Sequence, residues 1–93
     1  MPTAPRRSSF PGLEGLAEKA AARRRALIGE LAEARRESEL SQTEIAARMG
    51  TSQSAVARLE SGELDVRLST LERYAAALGR TVDWQARPPE EQP

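Results

Sequence analysis

The sequence predicts an all-α domain: a bundle of four to five helices followed by one short C-terminal β-strand. Three observations predict it. Apolar residues recur at three- and four-residue steps through most of the chain, serine–glutamate pairs at capping-box spacing open two of the helices, and strict alternation occurs only near the C-terminus. Ninety-three residues can close one small core, so one domain is expected.

Residues 1–12 contain Pro2, Pro5 and Pro11 with Ser8, Ser9 and Gly12, and they repeat no apolar face. They are expected to form a flexible tail. From Leu13 the pattern changes. Leu13, Leu16, Ala20, Leu27, Leu31 and Ala34 form a stripe, widened by Ala17 and Ile28, with glutamates and arginines on the other side. Gly15 and Gly29 each cost a helix interior about 1 kcal/mol relative to alanine. The segment is therefore either one rod or two helices broken near Ala22 to Arg25.

Ser41 and Glu44 have capping-box spacing, so a helix starts at Gln42, with Leu40 and Ile45 placed as a hydrophobic staple. Gly50 stands where a helix ending at Met49 needs positive φ, and Ser52 can cap a further helix from Gln53 to about Ser61. After Gly62, residues 63–67 form a polar loop. Ser69 and Glu72 repeat the capping-box spacing and open a helix whose Leu71, Tyr74, Ala75 and Leu78 share one stripe, before Gly79 ends it. Val82, Trp84 and Ala86 then alternate with polar residues until Pro88 and Pro89. A strand over 80–87 is favoured, and a short helix opening at Val82 is the alternative. A lone strand needs a partner, so Val82, Trp84 and Ala86 are the candidate dimer interface. Residues 88–93 are expected to be a disordered tail.

Composition narrows the function. Fourteen basic groups balance fourteen acidic ones, and the formal charge is zero, so whole-molecule charge does not hold the protein on a polyanion. Counted by segment, the neutrality is a cancellation: residues 1–36 carry a net +4 and residues 37–93 a net −4. With no histidine and no cysteine, disulfides, ordinary zinc sites, thiol nucleophiles and imidazole bases are all excluded. An enzyme is not expected, and neither is a cofactor or metal. Glu63 and Asp65 have no ligand cluster around them and read as a charged loop. No apolar run reaches the roughly 20 residues of a bilayer span, so no membrane partner is expected and the expected location is the cytoplasm.

The informative segment runs from Gln42 to Ser61. Ile45, Met49, Val56 and Leu59 point inward, Ala46 is small where two helices cross, and Gly50 makes the turn. These are the steric demands of a helix-turn-helix. The second helix turns Gln53, Ser54, Ala57 and Arg58 outward as one stripe. Gln can pair with adenine, Arg with guanine, Ser with base edge or phosphate, and the alanine methyl with thymine.

The run Leu40-Ser-Gln-Thr-Glu-Ile-Ala-Ala-Arg-Met-Gly-Thr-Ser-Gln-Ser-Ala-Val-Ala-Arg-Leu-Glu-Ser-Gly62, continued by Leu68-Ser-Thr-Leu-Glu-Arg-Tyr-Ala-Ala-Ala-Leu-Gly79, resembles the helix-turn-helix of the Xre family, the group of Cro and the lambdoid phage repressors. Arg67-Leu-Ser-Thr-Leu and the Ala-Leu-Gly helix end look most like HigA-type antitoxins. The resemblance implies a lambda-repressor-like bundle over residues 13–79, with the motif at 42–61. It implies that Gln42 contacts the DNA backbone and supports Gln53, and that Ser54 and Arg58 lie in or beside the major groove. The expected DNA-binding set is Gln42, Thr43, Ser52, Gln53, Ser54, Ala57 and Arg58.

Arg35 and Arg36 either reach phosphate or complement a helix C-terminus. Arg23, Arg24 and Arg25 fan around a helix and read as a solvated face. Glu60 and Glu63 lie at or beyond the end of the reading helix, away from the expected groove. The expected partners are double-stranded DNA with an inverted-repeat operator, a second copy of the chain and a cognate toxin. The function implied is an autoregulatory DNA-binding repressor that is also the antitoxin of a type II toxin–antitoxin pair. The alternatives are a stand-alone regulator and a module that acts mainly by binding a toxin through the basic segment Arg6 to Arg36.

Overall fold

The computed structural model describes residues 13–62 and 65–88. The expected N-terminal tail and all but residue 88 of the expected C-terminal tail lie outside them. Four helices are described: α1 (Leu13–Glu37), α2 (Gln42–Met49), α3 (Gln53–Ser61) and α4 (Leu68–Ala77). α2 packs on α3 and α4, and α1 packs on the same two helices.

α1 is one rod. A 25-residue helix spans about 37 Å at 1.5 Å per residue, much longer than its three partners. Its buried residues, Ile28, Leu31, Ala32 and Ala34, all lie in the C-terminal half. The stripe expected from Leu16 and Ala20 onward therefore continues beyond the core: Leu16 is 40% exposed and Ala20 is exposed. Gly15 and Gly29 have open space where a Cβ would stand, so neither marks a close approach or a break.

α1 ends in a Schellman motif, with Leu40 N–H donating to Arg35 O and Glu39 N–H to Arg36 O. Glu39 supplies the left-handed residue at φ 59°, a position that glycine fills more easily. α2 opens with the expected capping box: Glu44 N–H donates to Ser41 Oγ at 3.0 Å, and Ser41 N–H to Glu44 Oε1 at 2.8 Å. The Ser41 N–H first, and then the Ser41 hydroxyl, hold the Glu44 carboxyl below its ordinary range. Gly50 at φ 71° closes α2, and Ser52 caps α3 through the Ala55 N–H.

α4 departs from the expectation. It starts at Leu68 with Arg67 as N-cap and no side-chain cap, so the Ser69–Glu72 pair makes no capping box. Leu71 N–H already donates to Arg67 O, while the Glu72 carboxylate accepts from Trp84 Nε1 at 3.0 Å. Val66 and Leu71 both pack into the core, which sets the start of the helix between them.

The expected strand over 80–87 is also corrected. No strand is present among the described residues, and 80–88 follow α4 as irregular chain. A strand exists only through a ladder, and nothing in the described chain pairs with this segment. Val82 instead packs against the core, and Trp84 is tied to α4.

The core joins all four helices: Ile28 and Leu31 from α1, Ile45, Ala46 and Met49 from α2, Val56 and Leu59 from α3, and Leu71, Tyr74 and Ala75 from α4. Tyr74, Ile45, Leu71 and Val56 are its largest fully buried side chains. No described helix is long and apolar enough to cross a membrane.

Candidate nucleic-acid interface

α2 and α3 meet across Gly50, Thr51 and Ser52. Thr51 N–H donates to Ala46 O and Gly50 N–H to Ala47 O, which turns the chain sharply out of α2. Ala46 at the crossing is 2% exposed, so a larger side chain there would force the helices apart. Val56 and Leu59 then hold α3 by its inner face, and Gln53, Ser54 and Arg58 are left on its exposed face. Ala57 is half-buried at the edge of that face, and Thr43 and Ser52 are exposed beside it. Ser52 Oγ and Ser54 Oγ lie 3.2 Å apart.

Gln42 and Gln53 touch. Gln53 Nε2 donates to Gln42 Oε1 at 2.6 Å, and Gln42 Nε2 donates to Glu60 Oε1 at 2.9 Å. Glu60 also accepts from Arg35, whose Nε reaches Oε2 at 2.7 Å and whose Nη2 reaches Oε1 at 3.0 Å. The Tyr74 hydroxyl completes the set at 2.5 Å from Oε2. One carboxylate thus draws donors from α1, α2 and α4 onto the last turn of α3.

The ion pair is half-buried, its contacting side chains largely covered, with side-chain exposures of 11% for Arg35 and 7% for Glu60. Burial alone pushes the Glu60 carboxyl up. The hydrogen bonds from Arg35, then Tyr74 and Gln42, outweigh it and hold the group below its ordinary value. Burial and the neighbouring carboxylate push the Tyr74 hydroxyl in the opposite direction, upward, so it remains a donor.

Arg35, one of the two arginines expected either to reach phosphate or to complement a helix C-terminus, is engaged within the fold. Its guanidinium grips Glu60 and donates through Nη1 to Leu40 O at 2.8 Å, leaving its fork turned inward. Arg36 is exposed and lies 3.0 Å from Glu33, an ordinary pair along one helix. Arg24 pairs with Asp65 at 3.3 Å and ties the loop before α4 to α1. Val82 is half-buried, whereas Trp84 and Ala86 are exposed.

Sequence reasoning missed Glu60 and the Tyr74 hydroxyl. A signal was present: Glu60 follows Val56 by four residues and Arg35 follows Leu31 by four, so each charge sits on the inward stripe of its helix. Opposite charges on two facing apolar stripes are expected to pair.

A helix-turn-helix family model matches residues 31–85, more than half of the chain. The chain belongs to this family, in its Xre-type branch. The matched span begins at Leu31 within the buried half of α1 and takes in all of the core except Ile28. The helix-turn-helix chain is also similar to the protein named antitoxin HigA1 of Mycobacterium tuberculosis, in strains CDC 1551 and H37Rv, at 44% identity over 68 residues. That alignment covers 73% of this chain and 45% of the relative, so the chain spans less than half the length of the curated relatives it matches. No solved structure matches at a comparable level of significance.

Proposed function

We propose that this helix-turn-helix protein is a sequence-specific DNA-binding repressor that acts as a dimer on an inverted repeat in its own promoter. The observation that carries the reading is the exposed stripe of Gln53, Ser54 and Arg58 on α3, with Gln53 braced by Gln42 from α2. Those groups offer hydrogen bonds of both polarities and a cation to a major groove. One small module makes too few contacts to select a site in a genome, which supports pairing two copies about one helical turn apart. The exposed Trp84 and Ala86, with the adjoining Val82, provide an apolar surface for that pairing.

Replacing Gln53 and Arg58 together by alanine is expected to abolish retention of the protein's own promoter DNA in a gel-shift assay while leaving helicity unchanged. Undiminished retention would sink the assignment of those residues.

The likeness to an antitoxin supports a second role, neutralising a cognate toxin. The surface that suits it is the amino-terminal half of α1, which extends past the core with Leu16, Lys19, Arg23 and Arg25 exposed. A deletion that tests it must stop at Ala26, because Ile28, Leu31, Ala32 and Ala34 are core. Loss of toxin capture with retained DNA binding supports the division of labour; the reverse pattern refutes it.

A further inference from the structure

Glu60 carries more chemistry than a structural ion pair needs. An ionised carboxylate only accepts hydrogen bonds, whereas a carboxamide has one accepting end and one donating end. Gln42 faces Glu60 at 2.9 Å and therefore has to present its Nε2 there. Its Oε1 is then left on the opposite side, where an N–H is required. Gln53 answers with Nε2 at 2.6 Å. Each amide is oriented by the one before it, and the first is oriented by a charge that Arg35 and Tyr74 keep ionised and fixed in place.

We propose that Glu60 is the polarity-setting residue of the reading surface: relayed through Gln42, its carboxylate fixes which end of the Gln53 carboxamide faces a base, and so selects adenine at the position Gln53 reads. With one N–H held by Gln42, Gln53 keeps its Oε1 and its second N–H. That acceptor–donor pair matches adenine's N6 amine and N7. A Gln53 free to flip could offer the same two groups in either order and would discriminate less. Glu60 itself never touches DNA in this arrangement and acts only through Gln42, as a positioning residue.

The inference rests on the DNA-binding reading above, and its first test does not need DNA. In the full chain labelled with nitrogen-15, the side-chain amide protons of Gln42 and Gln53 are expected to exchange with solvent at least about tenfold more slowly than those of the exposed Gln85, and Glu60→Gln is expected to remove that protection from both. Gln53 protons exchanging as fast as those of Gln85 in the unmodified protein would overturn the relay, whatever the protein binds.

The second test selects from promoter DNA randomised at each operator position. Unmodified protein is expected to prefer adenine at one position by about tenfold or more. That preference is expected to collapse to about twofold in Glu60→Gln. Gln42→Met breaks the relay while keeping the Arg35–Glu60–Tyr74 contacts, so it serves if Glu60→Gln does not fold. Its overall affinity is expected to fall, and its adenine preference with it. An intact adenine preference in a folded variant overturns the proposal. If no selection occurs even with unmodified protein while the amide protons are protected, it is the DNA-binding reading that fails, together with the adenine assignment built on it.

Discussion

Removing the Glu60 carboxylate leaves Arg35 with a half-buried, unpaired charge and Tyr74 and Gln42 with unanswered donors. Breaking a fully buried pair from one side costs about 3–5 kcal/mol; this pair is part-buried, so Glu60→Ala is expected to cost less than that and still to lower the urea midpoint more than any exposed α3 substitution does. Tyr74→Phe keeps the ring packing and loses only a hydrogen bond to a charged group. It is expected to cost about 1.5–3 kcal/mol in the same measurement. The pH dependence follows from the direction of the Glu60 shift. Its folded value lies below the unfolded one, so its stabilisation is fully present above the ordinary carboxylate range and is lost as pH falls through the folded value. Urea melts from neutral pH down through the carboxylate range are expected to show the unmodified chain losing more stability than Glu60→Gln, because the variant has already lost that contribution.

At the scale of elements, the turns out of all four helices share one geometry. Gly50, Gly62 and Gly79 supply the left-handed residue after α2, α3 and α4, and Glu39 supplies it after α1. Because a side chain in that region costs roughly 1–2 kcal/mol and glycine returns part of this as unfolded-state entropy, Glu39→Gly is expected to stabilise the chain by about 0.5–1 kcal/mol, seen as a higher thermal midpoint. Caps of this kind explain what was legible in the sequence. The limits of α2 and α3 could be read because their caps are local: a serine before each, a glutamate three residues on in α2, and a glycine at the end of each. Ser69 and Glu72 have the same spacing, yet Trp84 takes the glutamate, and no local pattern reveals a competitor 12 residues away. The end of α1 was obscure for the opposite reason, since its geometry is ordinary and its residue type is not. Residues 80–87 alternate like a strand, but alternation specifies only which side chains face inward, and here Val82 answers that demand without a ladder. The outward placement of Gln53, Ser54 and Arg58 was legible from position alone. Of the Glu60 cluster only the inward positions of Arg35 and Glu60 were readable, because its members come from four separate helices.

Within the whole molecule, burial is uneven along α1. Leu31→Ala removes a core side chain and is expected to cost about 2–5 kcal/mol, whereas Leu16→Ala is expected to change stability by less than about 0.5 kcal/mol in the same urea melts. The charge distribution also becomes more specific. Arg35 and Arg24 are engaged by Glu60 and Asp65, so the net +4 of the first 36 residues overstates what is offered to a phosphate backbone. Binding to random DNA is expected to be weak, with a shallow dependence on salt. A steep salt slope would show that more arginines face the duplex than the fold displays.

The Glu60 cluster has one further consequence, for how such a protein can change over generations. On the proposed relay its carboxylate serves the core and the reading surface at once, so a substitution at Glu60 or Arg35 would alter fold and recognition together and be doubly exposed to selection. Ser54 and Arg58 lie on the same helix and outside that cluster. On the proposed DNA-binding reading, a lineage would acquire a new operator by varying those two positions while the brace beneath them stays unchanged.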